Sequence, residues 1–262
     1  MSRILMTCAL VFLLSFAPSI EGGRAQNTLA PTGTLRALYL ASNPAHAVRD
    51  SPTGQPHGVA IDMARELGRR LGIPVTVTGA ANPQAVIDAV QRGEADLGFV
   101  AYNPEHAGPV EFSRPYMLVQ QTFIVREGSS ISSVAAIDRP GQRIGATKGD
   151  SIALYLARTL KQTQVVEIVE STPGEARQML LEGKLDAFGA NRQRLTDVIR
   201  GVSGLRLLPD DLYGVEQTLI VPKGKSEALT TLNQFIDDVR NSGFLRASID
   251  KSGVIGITVA PK

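Results

Sequence analysis

Three short stretches carry side chains able to do chemistry together. "YNPEHAGPVEFSRPY" (Tyr102–Tyr116) places His106, one of three histidines, in a proline-framed turn after an apolar segment. An imidazole donates one hydrogen bond when neutral and two when protonated, so it can meet an anion in a pH-dependent way. The plainer reading is a turn or capping histidine on a rim. "GATKGDSIALYL" reads as strand, glycine turn, then helix, and the free N–H groups at a helix start favour an anion. Thr147, Gly149, Asp150 and Ser151 are therefore candidates for holding a carboxylate or another acidic group, the simpler alternative being that Asp150 only caps its own helix. "DAFGAN" ends an apolar run at Asn191, which hydrogen-bonds without supplying charge.

The same inventory sets other chemistries aside. "GATKGDS" lacks the Gly-Lys-Ser/Thr order of a phosphate-binding Walker loop. His46, His57 and His106 are widely spaced and have no thiolate beside them, which argues against zinc. Glu105 and Asp150 are lone acids, with no partner at a spacing that makes an acid–base pair. No metal, cofactor or catalytic residue is expected.

Alternating strands and helices must position these groups. "TLRALYLAS" (Thr34–Ser42) is a strand candidate, and "GVAIDMARELGRRLG" a helix with Val59, Met63, Leu67 and Leu71 on one stripe, stopped by Gly72 and Pro74. "VTVTG" alternates as a strand does, and "PQAVIDAVQRGEADLGFVA" is a helix ended at Gly93 before an apolar strand. This alternation implies a mainly parallel sheet. Two echoes follow. "RGEADLGF" returns as "EGKLDAFG", which points to two related α/β lobes, and "QQTFIVREGSS" (Gln120–Ser130) returns as "EQTLIVPKGKS" (Glu216–Ser226). If each of the latter strands runs at a crossing between lobes, the chain between them forms lobe two and the tail returns to lobe one. Two crossings make a hinge, with a cleft at the strand ends.

The start of the chain reads as an address. Arg3, the apolar run Ile4 to Ala17 and Gly23-Arg24-Ala25 make a secretory signal cleaved after Ala25. Cys8, the only cysteine, precedes most of that run, so it is not placed for lipid anchoring. Its removal leaves no disulfide, thiolate metal site or cysteine nucleophile. Lys plus Arg (27) nearly balances Asp plus Glu (25), without a basic run of the nucleic-acid or polybasic-membrane type. The partner is then a small solute or a specific protein surface, and no nucleic acid.

An ordered set of motifs, "GVAIDMARELGRRLGIPV", "VQRGEADLGF", "NPEHAGPVEFSRPYM", "GQRIGATKGDS", "LLEGKLDAFGAN", "YGVEQTLIVPKG" and "NSGFLRASIDKSGV", resembles the bacterial extracellular solute-binding proteins of family 3, the polar amino-acid type of ABC-importer receptor. The resemblance covers essentially the whole mature chain. It implies a two-lobed α/β venus-flytrap fold of mixed sheets flanked by helices, with a signal over 1–25, lobe one over 26–117 plus 218–262, and lobe two over 118–217. It also implies a periplasmic, monomeric binding protein that closes on its solute and is recognised by an inner-membrane permease. On the same fold, a cyclohexadienyl-dehydratase-like enzyme is the rival, and a ligand sensor needing a separate membrane partner is another, because the chain ends at Lys262 just after the last lobe.

Matched residue by residue, this chain departs from the family pattern. His106 stands where amino-acid binders carry the arginine of a Thr-x-x-Arg segment that clamps the ligand carboxylate, and Asn191 where they carry an aspartate for the ammonium. Asn43 falls where an aromatic usually stacks on the ligand. Phe99, Ala101 and Tyr102 replace small hydroxyl residues, and Asn82 with Pro83 should edge the pocket. Arg114 is read as a surface or interlobe salt-bridge residue, and whether Arg192 or Gln193 faces the cleft stays open. The joint change at His106 and Asn191 argues against an ordinary α-amino acid held in the ordinary way. If His106 grips an anion as imidazolium, affinity falls as pH rises through its raised bound-state pKa, whereas titration calorimetry flat from about pH 5 to 8 removes that role.

Overall fold

A computed structural model of the chain describes residues 28–41, 43–51, 53–104, 108–148, 150–169 and 174–262. Residues 1–25, read from the sequence as a leader, lie outside the described residues, as do Glu105, His106 and Gly149. In chain order the elements are β1 (Leu35–Leu40), α1 (Val59–Leu71), β2 (Val75–Ala80), α2 (Pro83–Gln91), β3 (Leu97–Ala101), β4 (Val110–Phe112) and β5 (Met117–Arg126). There follow β6 (Arg143–Thr147), α3 (Ser151–Thr159), β7 (Gln164–Ile168), α4 (Glu175–Leu181), β8 (Ala187–Asn191), α5 (Arg192–Ile199) and β9 (Leu205–Leu207). The chain closes with β10 (Tyr213–Pro222), α6 (Ser226–Asn241), α7 (Phe244–Ser252) and β11 (Ile257–Val259).

Each lobe repeats one β-α-β-α-β unit. In the first, β1 lies between β2 and β3, parallel to both (Leu35↔Val75, Ala37↔Leu97). In the second, β6 lies between β7 and β8, again parallel (Ile144↔Val165, Ile144↔Ala187). The helix α1 forms because Val59, Met63 and Leu67 share a buried stripe, and it stops where Gly72 takes the left-handed conformation at φ 70°.

The sequence echo "RGEADLGF"/"EGKLDAFG" is a structural echo too. Gly93 and Gly183 both turn the chain at positive φ (70° and 72°), and their N–H groups donate to the carbonyls of Val90 and Leu180. Asp96 then accepts from the backbone N–H of Arg36 at 2.8 Å, and Asp186 from that of Arg143 at 2.8 Å. Each aspartate thus ties the strand it precedes to the start of its lobe's first strand.

The two lobes are joined edge to edge in one eleven-stranded sheet of described strands, with the path β2-β1-β3-β10-β5-β8-β6-β7. Strands β10 and β5 run antiparallel from Tyr213↔Gln121 to Gln217↔Met117. Beyond that ladder they diverge, β10 onto β3 and β5 onto β8. The apolar cores divide accordingly. Met117, Val119 and Leu219 pack with Met63, Phe99 and Phe235, whereas Phe123 packs with Ile152 and Leu156, and Ile124 with Phe188 and Leu195. The tail returns to the first core through Phe235, Ile236 and Leu245, and β11 pairs β5 at Ile257↔Val119.

The two aspartate ties differ in burial, which makes their energies separable. Asp96 is buried and also takes the Arg36 guanidinium in a two-point contact at 2.7 and 3.1 Å. Asp186 is less buried, with guanidinium contacts at 3.4 and 3.5 Å. Asp96→Ala is expected to cost about 2–3 kcal/mol in urea unfolding and Asp186→Ala about 1 kcal/mol; equal losses would contradict this account.

Candidate functional site

The parallel strands β1, β3, β6 and β8 end at Leu40, Ala101, Thr147 and Asn191. Open α/β sheets bind ligands at such carboxyl ends, and here both lobes point theirs at one place. A cleft of about 610 Å³ opens there, with an adjoining space of about 430 Å³. Leu40, Asn43, Ala101, Asp150, Ser151 and Val215 line both.

Of the residues singled out in the sequence, Asn43, Ala101, Tyr102, Asp150, Ser151 and Asn191 line this cleft. Asn43 is partly committed, since its Oδ1 accepts the Ala45 N–H at 3.0 Å. Thr147 closes β6, and its buried hydroxyl has no hydrogen-bond partner among the described residues. Asn82 caps α2 by accepting the Ala85 N–H at 2.8 Å, and its neighbour Pro83 reaches the cleft instead. Phe99 requires correction: it is 1% exposed in the first core, edge-on to Tyr116 and beside His46, so it is not part of the cleft wall. The cause is that Leu97–Val100 is buried on both faces, so alternate residues of β3 do not separate wall from core. His106 and Gly149 lie outside the described residues.

The Asp150 side chain does not cap its helix. The residue occupies the N-cap position of α3 without a side-chain capping bond. Its carboxylate instead meets the Arg194 guanidinium at 3.1 Å. Burial raises the Asp150 pKa, and the Arg194 charge opposes that rise. Asn191 sets this pair up: its Oδ1 accepts the Arg194 N–H at 2.8 Å and caps α5, while the Arg194 guanidinium lies over Phe188 at 5.9 Å. The cleft therefore carries adjacent opposite charges from α3 and α5.

Arg194 was missed in the sequence because the pair joins residues on two helices far apart in the chain. Tyr155 and Tyr213 were missed as well; they stack at 4.3 Å with planes 17° apart. Arg192 and Gln193, left open by the sequence, turn elsewhere. Arg192 binds Asp211 at 2.7 Å and the Asp210 carbonyl at 2.9 Å, and Gln193 accepts the Ile255 N–H at 3.1 Å, so both brace α5. Arg114 pairs with Asp237 on α6 at 2.6 Å.

Behind the cleft floor, Gln121 and Gln217 are buried on the crossing strands and line the smaller space. The signal for them was present, since the repeated Gln-Thr puts polar residues inside otherwise apolar strands. Gln217 is held by His46, whose Nε2 lies 2.9 Å from its Oε1. The Leu40 N–H donates to His46 Nδ1 at 3.3 Å, which fixes the neutral tautomer with Nε2–H as the donor. His46 is fully buried, and burial pushes its pKa down from 6.5 to about 4.

The profile of the bacterial extracellular solute-binding proteins, family 3, matches residues 35–253, and the chain belongs to that family. An L-arginine-binding protein of Pseudomonas aeruginosa is 25% identical over 234 residues, spanning 86% of this chain and 89% of the relative. Among solved structures, a putative ABC-transporter binding component from Wolinella succinogenes complexed with lysine superposes with a TM-score of 0.67 at 22% identity, over 84% of this chain and 95% of that one. An ancestral amino-acid-binding protein, described as a precursor of cyclohexadienyl dehydratase, gives 0.64 at 22% identity, over 86% and 97%. Both share the two-lobed fold. No helix among the described residues is long and apolar enough to cross a membrane, and no cluster of three metal-ligating side chains occurs among them.

His46 titrates as a base whose folded pKa is depressed, so the unfolded chain binds the extra proton between about pH 4 and 6.5. Stability is then full above pH 6.5 and lost as pH falls toward 4, by at most about 1.4 kcal/mol per pH unit. Thermal midpoints across that window should drop more steeply for the native chain than for His46→Gln, and parallel curves would contradict the assignment.

Proposed function

We propose that this chain is the periplasmic receptor of an ABC importer, capturing a small polar or acidic organic solute, amino-acid-like or a derivative, between its lobes. It hands the solute, as a monomer and without chemical change, to an inner-membrane permease. The lobes are taken to divide at 26–117 with 218–262 and at 118–217, in keeping with the change of core along β5 and β10. The observation that carries the reading is the Asp150–Arg194 pair at the strand ends, inside a cleft that both lobes line. A guanidinium suits a carboxylate in a desolvated site, and Asp150 suits an ammonium. A solute bearing both groups exchanges partners with the pair and leaves no charge unmatched.

The relatives, one named an L-arginine-binding protein and one a putative binding component complexed with lysine, support an amino-acid-like head. The substitutions at His106 and Asn191 displace the chemistry from common α-amino acids. A dehydratase-like enzyme remains the second reading because Asp150, with its raised pKa, is a carboxyl in the cleft that could serve as an acid. Turnover of prephenate or arogenate by the purified protein decides for it.

Thermal-shift screening of amino acids, organic acids, opine-like conjugates and aromatic acids provides the main test, since a ligand at a hundredfold excess over its Kd contributes about 2.7 kcal/mol. A derivative or organic acid should give the largest shift, and Arg194→Ala should weaken the affinity for it by about tenfold or more. Strong stabilisation by common α-amino acids alone would remove the displaced-ligand reading.

A further inference from the structure

The charged pair occupies only one part of the cleft. Asn191, Arg194 and Gln121 line the smaller space, whereas Leu154, Tyr155 and Arg158 line the larger one. Ser151, Leu154, Tyr155 and Arg158 follow one another at helical i, i+3, i+4, i+7 spacing, so one face of α3 looks into the cleft. Its other face, with Ile152, Ala153 and Leu156, is core. Leu154 (43% exposed) and Tyr102 (47%) are two of five large apolar side chains so exposed among the described residues, and both line this one space. Their sharing it sets the cleft apart from scattered surface apolar residues, which need no explanation.

The aromatic groups are already fixed in place. Tyr155 is stacked on Tyr213, and Tyr102 is held edge-on to Phe112 at 5.2 Å and 80°. Side chains ordered before binding lose little further entropy when a ligand arrives. Arg158, with no ion-pair partner among the described residues, stands two turns along α3 from Ser151. Its guanidinium is suited to the face of a ring.

We propose that this part of the cleft is a second subsite that takes a planar apolar arm, an aromatic ring above all, so that the solute is an amino-acid-like head joined to such an arm. This rests on the receptor reading above and adds the class of solute. The competing account is that Leu154 and Tyr155 only meet Tyr102 when the lobes approach. A closure contact of that kind strengthens every ligand alike, whereas a subsite strengthens only those that carry the arm.

Calorimetric titration of the full mature chain with matched probes separates the two accounts: L-phenylalanine against L-alanine, and N-benzoylglycine against N-acetylglycine. At least one arm-bearing probe should bind about tenfold or more tightly than its counterpart. Tyr155→Ala should erase that preference while changing the armless affinity by less than about twofold, and Tyr155→Phe should keep it. If Tyr155→Ala does not fold, Tyr102→Ala, at an exposed position on the opposite lobe, provides the same reading. The proposal is overturned if neither arm-bearing probe is preferred, or if the variants weaken both members of a pair equally. Binding of armless solutes with nothing gained from the arm leaves the receptor reading intact, whereas no binding by any of these probes or by any member of the wider solute screen removes both.

Discussion

Five residue pairs, from Met117–Gln217 to Gln121–Tyr213, carry the sheet from one lobe to the other. Val119 faces Val215 at the middle of that ladder, and the two flanking glutamines are placed alike, Gln121 opposite Tyr213 and Gln217 opposite Met117. Both donate from Nε2 to a carbonyl two residues back on their own strand, Gln121 to Val119 at 3.2 Å and Gln217 to Val215 at 3.3 Å. The threonines that follow bond outward, Thr122 to the Asp210 carbonyl and Thr218 to the Val100 carbonyl. Buried polar groups are tolerated only when paired, so these contacts fix where each strand leaves the shared ladder for its own lobe. His46 secures Gln217, which is why one buried imidazole bears on the geometry of the whole cleft floor.

With the crossing fixed, the rest of each lobe follows from a local device used twice. A glycine with positive φ ends a helix, and an aspartate ties the next strand to the first strand of that lobe. The parallel strands therefore end together, and the cleft lies where those ends from both lobes meet. The residues after the strand ends line that cleft because they are the first free of the ladder. Asn43 follows β1, Tyr102 follows β3, and Asp150 and Arg194 follow β6 and β8 at helix starts.

This division explains what could be read from the sequence. The helix and strand units, their glycine stops and both echoes are local patterns, and the elements fall where those patterns put them. The cleft was legible only in part. Phe99 was misplaced because a strand buried on both faces gives no alternation to separate core from wall. Asn191 was read for the charge it lacks, while its structural work is to cap α5 and present Arg194. The Asp150–Arg194 pair and the Tyr155–Tyr213 stack join segments distant in the chain, and nothing in either segment alone announces its partner.

The placement of these groups also constrains how binding and lobe movement are coupled. Asp150 and Arg194 both lie on helices anchored in the second-lobe cores, through Ile152 and Leu156 and through Leu195. On the proposed reading, partner exchange between this pair and a charged ligand head is made within one lobe, so lobe closure changes its worth only through the water that closure excludes. A ligand shifts a conformational equilibrium only through the difference in its affinity for the two states. On the proposed reading, Leu40 and Asn43 of the first lobe, which line the same space as the pair, supply that difference. On that reading the charged pair sets which heads are held, and the first-lobe wall sets which of the held molecules draw the lobes together.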